Sequence, residues 1–365
     1  MKLACFYHSL ISDWNHGNAH FLRGFVRELA VRGHDVRVFE PHDGWSMRNL
    51  VADHGDAAIA AFHAAYPELE SHRYGNDLDL DRELDGVDAV LVHEWNDPAL
   101  VARIGEHRAR RGTGRNSYAL LFHDTHHRSV TAPAEMSAYD LTHYDGVLAF
   151  GEVIRALYLQ RNWARRAWTW HEAADVRVFV PQPTTARDGD VVWIGNWGDD
   201  ERSTELTAML IAPVLALGVR AKVFGVRYPA AAIAALQAAR IRYGGWLPNF
   251  LAPSVFARHA VTIHVPRRPY VEALPGIPTI RVFEALACGI PLVSCAWQDT
   301  EQLFTPGRDY LVAHTGDEMQ HHLRAVLNEP ALAASLAAHA QTTIQARHTC
   351  AHRVDQLLSI LKELA

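Results

Sequence analysis

Cysteine is scarce in this chain, with four in 365 residues. Cys5, Cys288, Cys295 and Cys350 have neither the spacing of a metal clasp nor that of a redox pair, so reduced thiols and a cytoplasmic location are expected. Long apolar runs are missing too. None approaches the roughly 18 residues that a membrane span needs, and Met1–His8 lacks the apolar centre of a secretion signal. No low-complexity tract or fixed-period repeat occurs. Positive charge is not in excess: the net charge is −6, which argues against a nucleic acid held by a broad basic field. One local exception is Arg103, His107, Arg108, Arg110, Arg111 and Arg115. It reads as a solvated helix end, and an anionic acceptor or peripheral contact with a membrane surface stays open. Nothing in the sequence reports the oligomeric state.

What is there is a folded chain, 49% hydrophobic and 21% charged, long enough for two domains with a cleft between them. Strand-like runs at Lys2–Ser9, Val36–Phe39, Ala89–His93, Tyr118–His123 and Gly146–Phe150 alternate with helical patterns at Phe21–Ala30, Pro98–Arg110 and Val153–Arg161. The turn-rich stretch Thr184–Asp190, preceded by Pro181 and Pro183, reads as a linker. The alternation then restarts. Strands are expected at Val191–Gly195, Ala221–Gly225, Ile241–Tyr243, Val261–Val265 and Pro291–Cys295, with helices at Thr204–Leu217, Ala230–Ala239 and Arg281–Cys288. The tail patterns, Ala331–Ala340 and Ala351–Leu364, are helical. The expected class is therefore α/β, with two Rossmann-like, doubly wound parallel sheets. Domains are placed at 1–183 and 184–345, followed by a C-terminal helix, 346–365, that can cross back to the first. In such sheets ligands collect beyond the carboxyl ends of the strands.

The most informative segment is Pro275–Pro291, Pro-Gly-Ile-Pro-Thr-Ile-Arg-Val-Phe-Glu-Ala-Leu-Ala-Cys-Gly-Ile-Pro. It reads as loop, buried helix, tight turn and strand, with Glu284 among core residues. An unpaired buried carboxylate is costly, so Glu284 must find partners, and ribose hydroxyls are suitable donors. Arg281, three residues earlier, is either a phosphate ligand or a helix-turn partner of Glu284. Gly17, at the start of the first helix, allows close backbone approach to a phosphate. Arg202 is a second cationic candidate. Trp246 is a candidate for stacking on a nucleobase, and Arg268, in Arg267-Arg268-Pro269-Tyr270, is a candidate for donor phosphates or a charged sugar. Asp77-Leu78-Asp79 resembles a metal-holding Asp-x-Asp pattern but lies in a polar stretch with no strand of its own. A solvated turn is expected there, with metal-independent chemistry and no metal site.

The segment Gly276–Pro291 resembles the glutamate-containing donor motif of the retaining, group 1 (family 4) GT-B glycosyltransferases, whose second glutamate maps onto Glu284. Gly17 with Arg32-Gly33-His34-Asp35-Val36, the segment His171–Phe179 followed by Pro181, and Ile194-Gly195-Asn196 with Arg202 are similar to further motifs of that family. The resemblance implies a transfer of sugar from a nucleotide-diphosphate donor, of UDP or GDP type, to a glycan, lipid or small-molecule acceptor, with no other cofactor. It implies that Glu284 binds ribose hydroxyls and that Arg202 meets the diphosphate. Asn196 and Thr279 join the donor-binding candidates. His123 takes the place of a family histidine near sugar and acceptor, and Asp124 could orient it or accept a proton. His16, His93 and Glu94 are acceptor-side candidates. Asn18 stands where inverting relatives carry a basic histidine, so retention is favoured, with Asp13 as the alternative base. The family's first glutamate falls on Gly276, a departure that points to a divergent branch like the spore-maturation glycosyltransferase-like proteins. Two alternatives are a GT-B-fold protein that only binds or epimerises a nucleotide-sugar, and a metallohydrolase built from His93, His123, Asp124, His126, His127 and His171.

Overall fold

Central strands that are apolar on both faces must be covered on both sides, and the chain builds two such sheets. The computed structural model describes residues 1–112, 117–183 and 186–365; Arg115 of the basic cluster and Thr184 and Thr185 of the expected linker lie outside them. In the first unit, β1 (Lys2–Phe6), β2 (Asp35–Pro41), β3 (Ser71–Tyr74), β4 (Ala89–His93), β5 (Ala119–Asp124), β6 (Gly146–Ala149) and β7 (Ala167–Thr169) form one sheet. Their order is β3-β2-β1-β4-β5-β6-β7, and every pair is parallel. The second unit repeats the scheme. There β8 (Val191–Ile194), β9 (Ala221–Phe224), β10 (Arg242–Tyr243), β11 (Val261–His264), β12 (Leu292–Cys295) and β13 (Leu311–Ala313) run β10-β9-β8-β11-β12-β13, again all parallel. In both sheets the winding direction reverses beside the first strand, between β1 and β4 and between β8 and β11. Beyond the carboxyl ends at such reversals, loops splay apart and leave room for a ligand.

The strands β3, β7 and β13 were not legible as strands. Ser71-His72-Arg73-Tyr74 has none of the apolar alternation of a half-buried strand, because β3 and β7 are the edge strands of the first sheet and β13 is an edge of the second. The helix expected at Thr204–Leu217 is also broken. A wider, π-type turn spans Thr207–Ile211 before the helix Ala212–Leu217, since Pro213 brings no N–H for the carbonyl four residues back.

The first compact unit comprises Met1–Glu172 and Cys350–Ala365, the second Ala173–Thr349. Ala173–Pro183 thus goes with the second unit, where Ala174 N donates to His348 O at 2.9 Å. The C-terminal helix, Cys350–Leu364, packs on the helix Ala19–Val31 of the first unit. There Trp170 Nε1 donates to Arg353 O at 2.8 Å, and Arg353 Nε to His171 O at 2.8 Å. The Asp-x-Asp stretch is an exposed helix start: Asp79 Oδ1 accepts from Arg82 N and caps Leu80–Glu83. The described part of the basic cluster sits on or beside the helix Pro98–Arg111, with Arg108 and Arg111 near Asp145 and Asp85. Among the described residues no helix is long and apolar enough to cross a membrane.

Candidate active site

In the first unit the loop after β1, Tyr7–Asn18, is held from below by one buried guanidinium. Arg23 Nε and Nη2 donate to the carbonyls of Leu10 and Ile11 at 2.7 and 2.8 Å, and Nη1 pairs with Asp13 at 2.9 Å. The Asp13 side chain is 3% exposed. The expectation of Asp13 as a base is corrected here, since its carboxylate is neutralised inside a buried ion pair. Gly17 accepts from His20 N through its carbonyl at the helix start. Asn18 reaches across to the ends of β4 and β5, where its amide donates to Thr125 Oγ1 at 2.9 Å.

His93 and His123 end neighbouring strands and are both buried. Trp95 N donates to His93 Nδ1, so the proton of this neutral ring sits on Nε2 and is given to Thr125 Oγ1 at 3.0 Å. His123 Nδ1 meets the Tyr7 hydroxyl. With the phenol as donor, Nε2 carries the His123 proton, and that nitrogen has no hydrogen-bond partner among the described residues. Burial pushes the pKa of His123 down to about 3 and that of His16 to about 4, and holds those of His8 and His93 well below the usual range. Asp124 does not orient His123. Its Oδ2 accepts from Tyr158 at 2.9 Å and its Oδ1 from His126 N at 3.0 Å, and burial pushes its pKa up to about 6. As the last residue of β5, Asp124 points to the opposite face of the sheet from its neighbour His123. Glu94 is likewise internal. It pairs with Arg128, while burial pushes its carboxyl up to about 8 against that cation's pull.

The second unit places its polar groups differently. The loop after β8 turns through three successive left-handed residues, Gly198, Asp199 and Asp200, at φ 96°, 49° and 69°. A Cβ on Gly198 would lie 2.9 Å from Arg202 Cγ, so glycine lets the loop close onto that side chain. Arg202 Nη1 donates to Val265 O at 2.8 Å and Nη2 to Asn196 O at 2.6 Å, while its buried Nε–H has no partner among the described residues. Burial, reinforced by Arg267 and Arg281, pushes its pKa down to about 9. The Asn196 side chain accepts from Val226 N at 3.0 Å and so ties this loop to the one after β9. His264, at the end of β11, is pushed down to about 3 by burial and by Arg202 and Arg281. Ser294 Oγ donates to Cys295 O, so it accepts from His264 Nδ1 at 2.9 Å. His264 Nε2 then accepts from Thr279 Oγ1 at 3.1 Å.

That last bond uses the hydroxyl of the residue preceding the helix Ile280–Cys288, which has no side-chain cap. Its first-turn amides are therefore left without one. Glu284 is fully buried on this helix. Oε1 accepts from Asn249 at 2.7 Å, and Oε2 is paired with Arg281. The partners required of the buried carboxylate are thus supplied by the protein, and Arg281 takes up the helix-turn pairing. Arg268 is turned outward, with Nε on Glu205 at 2.9 Å and Nη2 on the Asp200 carbonyl. Its neighbour Arg267 bonds Glu201 at 2.8 Å. Trp246 is half-buried after the edge strand β10.

At Gly276, φ is 93°, and a Cβ there would lie 2.8 Å from Thr300 Oγ1 and 2.9 Å from Glu301 Oε1. The loop after β12 thus brings a carboxylate to the place where the sequence resemblance expects one at residue 276. Glu301, Asn249 and His264 were not singled out in the sequence. Only the position of His264 at the end of an apolar run could have signalled it. Among the described residues no three or more His, Cys, Asp or Glu side chains are grouped to hold a metal ion, so the metallohydrolase alternative has no ligand set there.

Two parallel sheets with matching strand order, each reversing at the loops described, are the GT-B architecture. Residues 202–359 match the family model described as glycosyl transferase-like. The whole chain is similar in fold to sucrose-phosphate synthase from Thermosynechococcus elongatus, at 15% identity, 100% coverage of this chain, 99% of that one and a TM-score of 0.67. It is similar to Anabaena HepE solved with UDP and glucose, at 14% identity, 99% coverage of each chain and a TM-score of 0.67. A third likeness is to an alpha-glucosyltransferase solved with UDP and DNA containing an HMU base, at 11% identity, 99% coverage of each chain and a TM-score of 0.70. No curated protein matches the chain in sequence. Residues 202–359 thus resemble glycosyl transferase-like proteins, and the chain as a whole has the GT-B fold.

Proposed function

We propose that the chain transfers a sugar from a nucleotide-diphosphate donor, UDP or GDP type, to an acceptor, with retention of configuration and without a metal ion. The observation that carries this reading is the cationic end of the second sheet. Arg267 and Arg281 both act on Arg202 there, Arg202 has a buried N–H without a partner among the described residues, and the helix that carries Arg281 has no side-chain cap. Arg202 makes no ion pair among the described residues, and a diphosphate supplies the missing negative charge. HepE and the alpha-glucosyltransferase, both solved with UDP, support the choice of nucleotide.

In this reading Arg281 turns from Glu284 to the diphosphate, and the released carboxylate oxygen accepts from ribose. Charge on the leaving phosphate is then stabilised by arginine and helix amides, and that phosphate takes the acceptor's proton. Glu301 contacts the donor sugar in place of a carboxylate at 276. The His123 Nε2–H, the buried donor left over in the first unit, is assigned to a substrate hydroxyl. Titration calorimetry with UDP and GDP should show micromolar to millimolar binding of one of them, and turnover should persist in EDTA. Absence of binding by either nucleotide, or activity only on addition of Mn²⁺, would contradict the reading.

A further inference from the structure

Beyond the carboxyl ends of β2 and β4, the neighbours of β1 on either side, the first unit presents two large indoles to solvent. Trp45 is 43% exposed and Trp95 is 38% exposed. Both lie against one imidazole: His16 is 5.9 Å from the Trp45 ring and 6.1 Å from the Trp95 ring, meeting each edge-on. The His16 ring in turn stands edge-on to His8 at 4.2 Å, and His8 has neither ring nitrogen hydrogen-bonded within the described residues. Exposed tryptophans are uncommon because the indole is costly to hydrate, and here they flank the reversal point of the sheet, where ligands collect.

The buried charges beneath this surface are matched. Arg128, whose guanidinium lies 4.1 Å from the Trp95 ring, pairs with Glu94, and Arg23 pairs with Asp13. The imidazoles are held neutral by burial. Of the charged side chains beside Trp45, Asp43 and Arg48 are exposed and opposite in sign, so the surface carries no excess of either. A saccharide ring fits the chemistry: its C–H faces stack on indole, and its hydroxyls both donate and accept without carrying charge.

We propose that Trp45 and Trp95, set about His16, form an acceptor subsite for an uncharged sugar ring. The inference rests on the glycosyltransferase reading for the word acceptor, and on the first unit alone for the sugar. It is tested on the full chain by saturation-transfer NMR with maltose, cellobiose and lactose, with glucuronic acid as a charged control. At least one neutral disaccharide should receive saturation on its ring C–H protons, and glucuronic acid should receive less. Trp45→Ala and Trp95→Ala should each weaken that binding at least tenfold, whereas Trp95→Phe should keep most of it and retain the packing on Arg128. Calorimetric affinity for UDP or GDP should be unchanged in all three variants. The proposal is overturned if no neutral disaccharide is saturated, or if the alanine variants bind it like the parent. Co-sedimentation with phosphatidylglycerol vesicles that requires both tryptophans, without sugar binding, overturns it in favour of a lipid surface. If the parent chain binds sugar through these tryptophans but no nucleotide, the sugar site stands and the donor reading falls.

Discussion

The two units share one strand order and put opposite chemistry at the same place. At the reversal of the first sheet stand neutral histidines and aromatics, with each nearby carboxylate either paired or pushed towards its neutral form. At the reversal of the second stand three arginines around a helix start, with the buried carboxylate Glu284 held between an arginine and an amide. Winding fixes where a ligand can sit. Side chains at the strand ends decide whether that ligand is an anion or an uncharged polyol.

The sharpest way to break the comparison is to remove one carboxylate from each unit. Glu284→Ala should destabilise the second unit by about 3–5 kcal/mol, because Arg281 and Asn249 lose their buried partner. Nucleotide binding should weaken with it. Urea unfolding followed by calorimetry checks both, and a variant with parental stability and parental affinity would remove Glu284 from the site. Glu284→Gln, which keeps the Asn249 contact within reach, separates loss of binding from loss of fold.

Asp124→Asn should do the reverse in the first unit. The folded pKa of Asp124 is raised to about 6 from 3.8, so its ionisation penalises the folded state above pH 6, and the penalty disappears as pH falls through 3.8. Asparagine can still accept from His126 N. The variant should therefore be more stable at pH 7.5 by up to about 3 kcal/mol, a gain that is absent near pH 4. Thermal unfolding at the two pH values decides it, and equal or lower stability at pH 7.5 would show that the carboxylate is held ionised.

The smallest expected effect belongs to the loop after β12. Glu301→Gln should lower kcat about tenfold, or about 1.4 kcal/mol, with UDP affinity unchanged. A loss of affinity equal to the loss of rate would assign Glu301 to general binding rather than to the transferred sugar.

Much of the scaffold was legible because it rests on local periodicity. The buried runs at β1, β4, β5, β8, β11 and β12 announce two parallel sheets. Three of the four edge strands, β3, β7 and β13, did not announce themselves, since an edge lacks the apolar content that coverage on both faces imposes. At the site, residue types were legible and their commitments were not. Asp13, Asp124 and Arg268 all stand on loops where a functional side chain is expected, yet they bond Arg23, Tyr158 and Glu205. Those partners lie 10 to 63 residues away.

Sequence alone determined the α/β class, the repetition of one winding scheme, the buried helix bearing Glu284 and the solvated nature of the Asp-x-Asp stretch, since each depends on neighbours within a few residues. Tertiary structure decided what each polar group faces. It closed Glu284 between Asn249 and Arg281, brought Glu301 to Gly276, left His123 Nε2 and Arg202 Nε without partners among the described residues, and set Trp45 and Trp95 about His16. Hydrogen bonds and burial act at distances of a few ångströms between residues far apart in the chain, and only the folded chain brings such residues within that reach.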